Sequence, residues 1–389
     1  MASSRYRPGV VVIHRGDISV KSHVKRTAKE LAGRITPIRD LRQQRNRLAA
    51  EVKTLQDEVA AGQRELVATR EQLAALTHRL DARPVTVEPP EVEPGGPAPA
   101  PGPGQAVVET EGTVTLGFPL GHYYSPIPDL DQIRARDTAI FDGPFDVPGI
   151  DFEPARQLER LGEFAGYFAE LPYPETGKAP WARYTFDNGF FSYGDAAAYY
   201  CMLRSIRPRS IIEIGSGWSS ALALDINELF LGGATQMTFI EPYPERLESL
   251  ITDTDRDRTR IIREPLYRVD PELFETLQPG DILFVDSTHV SKTGSDVNQI
   301  ILEILPRLRP GIHVHVHDIF YPFEYPREWV YEGRAWNENY LLRAFLTLNE
   351  HIRISWFNSY LARFHYAAVA DVLPLWSRNT GGSIWLETV

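Results

Sequence analysis

Two short runs bring acids and imidazoles together in this chain: Asp286-Ser287-Thr288-His289 and His317-Asp318. Carboxylate and imidazole side chains can take a proton from a hydroxyl near neutral pH. Alternatively, the carboxylates of Asp286 and Asp318 can hold a divalent cation such as Mg2+ that lowers the hydroxyl's own pKa. A third run, Glu213-Ile214-Gly215-Ser216-Gly217, does different work. Its glycines let the main chain approach a ligand with no Cβ in the way, and a helix starting there offers free N–H groups to anionic parts of that ligand. Glu241 closes a later apolar run, where a carboxylate can accept both hydroxyls of an adenosine ribose.

These residues need a scaffold that delivers them to one edge. Ser210–Ile214, Met237–Glu241, Gly280–Asp286 and Gly311–Asp318 read as short buried-type strands, each ending at one of the motifs, with helical patterns between them. Such alternation predicts an α/β fold, a doubly wound Rossmann-like sheet whose ligand crevice lies beyond the carboxyl ends of its strands. His351–Phe357 and Ser383–Thr388 are expected to add an antiparallel C-terminal pair. His313 and His315 share a face with His317 and are expected to be packed and hydrogen-bonded. The glycine turn and Glu241 fit a nicotinamide dinucleotide and S-adenosyl-L-methionine (SAM) equally. However, Ser220 stands where a G-x-G-x-x-G dinucleotide turn wants its third glycine.

The ordered set resembles the class I SAM-dependent methyltransferases, closest to a bacterial subgroup linked to sugar, polysaccharide or natural-product O-methylation. The resemblance rests on Glu213 to Gly217, on Glu241, and on Phe284-Val285-Asp286-Ser287-Thr288-His289-Val290. It extends through His315 to Pro326, Trp336-Asn337-Glu338 and Gly381 to Trp385, and covers roughly residues 115–389. It implies SAM as cofactor, bound by Glu213, Gly215, Ser216, Gly217, Glu241, Asp286 and Ser287, with His289, His317 and Asp318 as the reactive groups. His289 or His317 is then the expected base. Some relatives use a metal, for which Asp286 and Asp318 are the candidates, although His317 stands where those relatives often carry a second acid. For the acceptor, a small molecule or glycan, the expected contacts are His122, Tyr123, Tyr193, Phe320 and Tyr321. Two rival readings are a NAD-dependent oxidoreductase or epimerase, and a coiled-coil scaffold with an inactive methyltransferase-like domain.

The rest of the chain sets the context. Residues 1–34 form a basic arm. Over 35–81, apolar residues recur at alternating spacings of three and four from Ile38 to Leu80, interrupted only by Arg45, Gly62 and Thr69. That seam predicts a coiled coil and a homo-oligomer, with a parallel dimer favoured. Residues 82–112, rich in Pro and Gly, read as a tether to a domain over 113–389. The net charge of −11 argues against a nucleic-acid partner. Cys201 is the only cysteine, so no disulfide framework forms within the chain and a cytoplasmic location fits. No apolar run reaches the length of about 20 residues needed to span a bilayer.

Overall fold

The computed structural model describes Lys53, residues 107–108 and 114–115, and residues 117–389. The chain divides into two units, Met1–Pro99 and Ala100–Val389. The basic arm, the coiled coil and nearly all of the tether expected before residue 113 lie outside the described residues.

Seven strands form the central sheet: β1 (Ser210–Ile214), β2 (Gln236–Ile240), β3 (Arg260–Ile262), β4 (Ile282–Val285), β5 (His313–Val316), β6 (Ile352–Phe357) and β7 (Ile384–Thr388). Their spatial order is β3-β2-β1-β4-β5-β7-β6. The first five run parallel, while β7 inserts antiparallel between β5 and β6, as the C-terminal pattern predicts. The order reverses between β1 and β4, which is where a doubly wound sheet opens its ligand crevice.

Alternation along each strand divides the core between the two faces. Ile211, Phe284 and Trp385 pack on one side with helices α1 (Pro154–Phe168), α2 (Tyr193–Ile206) and α3 (Trp218–Phe230). Ile212, Leu283, Val314 and Val316 pack on the other, against a helical segment that starts as α4 (Asp296–Gln299) and against α5 (Glu338–Leu346). Helix α2 is buried from Gly194 to Leu203, so it is apolar nearly all round, whereas α1 buries only Gln157, Leu161 and Phe164 and keeps a wet face. Among the described residues no helix is long and apolar enough to cross a membrane.

Of the histidines on this strand and just after it, His315 stacks with Phe284 and Tyr199, meets Trp385 edge-on and lies stacked with His317. Neither His313 nor His315 is fully satisfied: both ring nitrogens of His315, and Nδ1 of His313, are buried without a hydrogen-bond partner in the protein. Burial holds the His315 imidazole well below the ordinary value, so it is neutral.

Candidate active site

The turn after β1 is shaped by its neighbours as much as by any ligand. Gly215 adopts φ +78°, its N–H donates to Ile240 O at 3.0 Å, and the N–H of Asp286 donates to Ile214 O at 2.8 Å. A Cβ at Gly215 would stand 1.9 Å from the carbonyl oxygen of Asp286. Glycine is therefore required by the close passage of the β1 and β4 ends, and not only by room for a ligand. Behind the turn, Glu213 is fully buried and one carboxylate oxygen accepts from the Ser219 and Ser220 hydroxyls at 2.6 and 2.8 Å. Ser220 Oγ in turn accepts from the Gly217 N–H at 3.0 Å. The other Glu213 oxygen and the Ser216 hydroxyl are buried without a partner. Burial pushes the Glu213 carboxyl up to about 8, with the two serines only partly offsetting it.

In front of the turn lies a cleft of about 360 Å3, within the range of ligand pockets. Ile214, Gly215 and Ile240 form its floor, and Glu241, Tyr243, Leu266, Tyr267, Asp286 and Ser287 are among its walls. Glu241 is held at the cleft by the N–H groups of Ser216 (3.1 Å) and Tyr243 (2.8 Å). Pro265-Leu266-Tyr267, Lys292 and Asp296 also line it, and no motif in the sequence marks them.

Asp286 also belongs to a dense cluster of ionisable groups. His289 Nε2 lies 3.4 Å from Asp286 and 3.7 Å from Asp318, and its Nδ1 lies 2.9 Å from Glu338. His317 Nε2 is 3.6 Å from Asp318. His289 and Asp318 both hold left-handed backbone conformations, φ +60° and +55°. Such strain in non-glycine residues costs on the order of 1–3 kcal/mol and clusters at functional sites. Burial disfavours charge on His289, but Asp286 and Glu338 outweigh it and push the imidazole up to about 10. For His317 burial likewise opposes charge, and Asp318, Asp286 and Asp195 raise it above the ordinary value. Burial resists ionisation of Asp286, yet His317 and His289 hold its carboxyl below the usual range. Asp318 goes the other way, raised by burial that the two histidines do not fully offset. At both positions the imidazole is biased toward its charged form.

Asp286 and Asp318, the metal candidates, both lie against His289 Nε2, and among the described residues no group of three or more His, Cys, Asp or Glu side chains is placed to hold an ion.

The expected acceptor residues are dispersed. Phe320 is half-buried and faces Trp329 edge-on, with centroids 5.2 Å apart; Trp329 meets Trp336 at 5.4 Å, and Trp336 covers the His289 ring at 4.4 Å. This wall does border the ionisable cluster. Tyr321 instead turns into the packing of Phe152, Tyr360 and Phe364. The Tyr193 hydroxyl reaches Asp187 at 3.1 Å and its ring stacks on Phe186, so it serves the strap before α2. His122 lines a separate cavity of about 590 Å3 shared with Val330, Arg334 and Ala335. Tyr123 is 79% exposed beside it and is not part of that lining. The residue that sequence reasoning missed is Glu338, fully buried and bonded to both Ser287 and His289. Its only signal was its place in the Trp336-Asn337-Glu338 run.

Comparison with known proteins defines the class. Residues 212–319 match the model of a methyltransferase domain family, a span that runs from β1 through the His317-Asp318 doublet. An uncharacterized protein of Archaeoglobus fulgidus is 35% identical over 202 residues, covering 50% of this chain and 90% of the relative. The chain belongs to the family of that archaeal protein and carries a methyltransferase domain. Solved structures with related folds include the O-methyltransferase TomG of Streptomyces achromogenes in complex with SAM (14% identity, 66% of this chain, 96% of that chain, TM-score 0.31). Another is CmcI with Mg and SAM (19% identity, 67% and 96% coverage, TM-score 0.33).

Proposed function

We propose that this protein is a SAM-dependent O-methyltransferase acting on a hydroxyl of a small molecule or glycan, in the manner of the sugar and natural-product enzymes its motifs resemble. One observation carries the reading: Asp286 lines the cleft beside the glycine turn and Glu241, and also touches His289 in the ionisable cluster. Nucleoside-binding and proton-handling groups thus meet at a single edge.

The chain's residues fit the cofactor. Glu241 would hold the ribose hydroxyls, and Pro265-Leu266-Tyr267 would flank the adenine. The unpartnered oxygen of buried Glu213 suits the ammonium of the methionine part, since a buried carboxylate seeks a cation. When bound, SAM supplies a sulfonium methyl already primed to leave. The wall of Phe320, Trp329 and Trp336 would place the acceptor hydroxyl in line with that methyl. Asp318, whose raised pKa suits a general base, would take the hydroxyl proton on a carboxylate oxygen as the methyl leaves the sulfonium sulfur, which departs as the neutral thioether, for the hydroxyl oxygen. His289 and His317, both raised toward the charged imidazole, flank Asp318. The nicotinamide alternative gains no support, because the position where it wants a glycine is a serine that Glu213 and Gly217 engage.

We further propose that residues 35–81 oligomerise the chain and that 82–112 tether the catalytic domain to it. Isothermal titration of the full chain with SAM and with S-adenosylhomocysteine tests the cofactor half of this reading. Saturable binding below about 1 mM, the upper range of ordinary substrate affinities, is expected; no heat at that concentration would remove it.

A further inference from the structure

Glu338 lies 49 residues beyond His289 in sequence, yet the two are clasped in both directions. The carbonyl of His289 accepts the N–H groups of Asn337 (3.0 Å) and Glu338 (3.2 Å). In return, Glu338 uses one oxygen to accept from the Ser287 hydroxyl and the other to meet His289 Nδ1, both at 2.9 Å. The Ser287 hydroxyl also accepts the His289 N–H at 3.0 Å. Backbone bonds alone would tie this loop to the start of α5. They would not require a carboxylate in a position with no exposure, aimed at a ring nitrogen.

That carboxylate constrains the ring chemically. A carboxylate accepts and does not donate, so it selects the imidazole form with a proton on Nδ1. Nε2 then becomes the atom presented to the reacting edge, 3.4 Å from Asp286 and 3.7 Å from Asp318. Trp336 covers the ring, so the ring cannot swing away from this arrangement without displacing an indole.

We propose that Glu338 is a positioning residue of the transfer step: it keeps a proton on His289 Nδ1 and fixes the orientation of the ring, and through His289 Nε2 it sets where Asp286 and Asp318 stand. The inference rests on methyl transfer taking place at this edge. Glu338 does not itself line the cleft; it reaches this edge through the His289 imidazole and through the hydroxyl of Ser287, a wall of the cleft. The charged and titratable groups facing that imidazole are Glu338 from α5, Asp286 after β4, and Asp318 and His317 after β5.

The test is nitrogen-15 NMR of the full chain labelled at histidine, with the His289 signals assigned by their loss in His289→Gln. In the unsubstituted protein, with and without S-adenosylhomocysteine, Nδ1 is expected to carry a hydrogen-bonded proton. In Glu338→Gln the ring should lose this fixed form, with its proton affinity lowered at least about tenfold, the scale on which a neighbouring carboxylate acts. Asn337→Ala removes side-chain bonds to Ser291 in the same loop without touching the ring, and should leave the His289 signals in place. A bare Nδ1 in the unsubstituted protein overturns the proposal without recourse to any variant. So does a His289 spectrum unchanged by Glu338→Gln, or one altered equally by Asn337→Ala. If S-adenosylhomocysteine fails to bind the unsubstituted protein while Nδ1 is protonated as expected, the methyltransferase reading of the edge fails and the clasp stands as geometry alone.

Discussion

At the residue scale, the ionisable groups of this edge constrain one another, and their pH behaviour follows. Transfer with Asp318 as base needs Asp318 ionised and His289 charged. Turnover should therefore rise with pH as the raised Asp318 carboxyl ionises, and fall again near 10 as His289 gives up its proton. A pH–rate profile for any methylated acceptor checks this; a falling limb near 6.5, the ordinary histidine value, would mean that His289 is not held charged. Asp318→Asn keeps the shape and removes the base. It should lower kcat by about 10²-fold or more while leaving SAM affinity within about twofold, as read by titration calorimetry. Glu213 gives a prediction of opposite sign to the usual carboxylate. Its folded pKa of about 8 lies above the unfolded value, so the native state binds the extra proton between roughly 4.5 and 8 and loses stability as pH rises through that window. Glu213→Gln removes the penalty. Urea denaturation should show the variant gaining on the parent from pH 5 to pH 8, with the gap closing below about pH 4.5.

At the element scale, the connections between strands decide which motifs meet. The strands were legible because a parallel strand buried on both faces leaves a near-continuous apolar run, and because each ends at a chemically distinctive residue. The terminal antiparallel pair followed from the same patterning. Glu338 was not legible as a partner of His289: it opens an ordinary amphipathic helix, and only the fold of the intervening chain brings it home. Tyr193 and Tyr321 show the reverse failure. An aromatic residue near a motif looks like a pocket wall in one dimension, but backbone direction sends these two into the strap and the core. Gly215 was read as ligand space, and the clash with Asp286 shows that strand packing needs it too. Gly215→Ala should therefore cost at least about 2 kcal/mol of stability, with ligand binding lost alongside rather than separately. The strap before α2 is anchored by Arg183, which bonds Asp225 at 2.8 Å and Asp255 at 2.7 Å, both acids buried. Removing one partner of a buried pair strands the other charge. Arg183→Ala is expected to lose about 3 kcal/mol by urea denaturation, and a loss under about 0.5 kcal/mol, the size of an ordinary surface substitution, would show that water compensates the acids.

At the scale of the whole molecule, the catalytic unit and the segment before it make separable demands. The seven-stranded sheet, both core layers, the cleft and the ionisable cluster all lie within residues 117–389. A unit that buries its own core on both faces of a sheet has what independent folding requires. On the proposed reading the apolar seam at 35–81 has the contrary property: as a lone helix it would be left wet, and it would need a second helix. Deleting residues 1–112 should thus leave a chain that unfolds cooperatively and binds S-adenosylhomocysteine with the affinity of the full protein, while its mass by light scattering falls to that of one copy. Three outcomes separate the possibilities. A truncated chain that binds but remains oligomeric would place the self-association in the catalytic unit instead. One that folds but no longer binds would make the N-terminal segment part of the site. Retained affinity with loss of assembly is the outcome that sequence periodicity and sheet architecture jointly require.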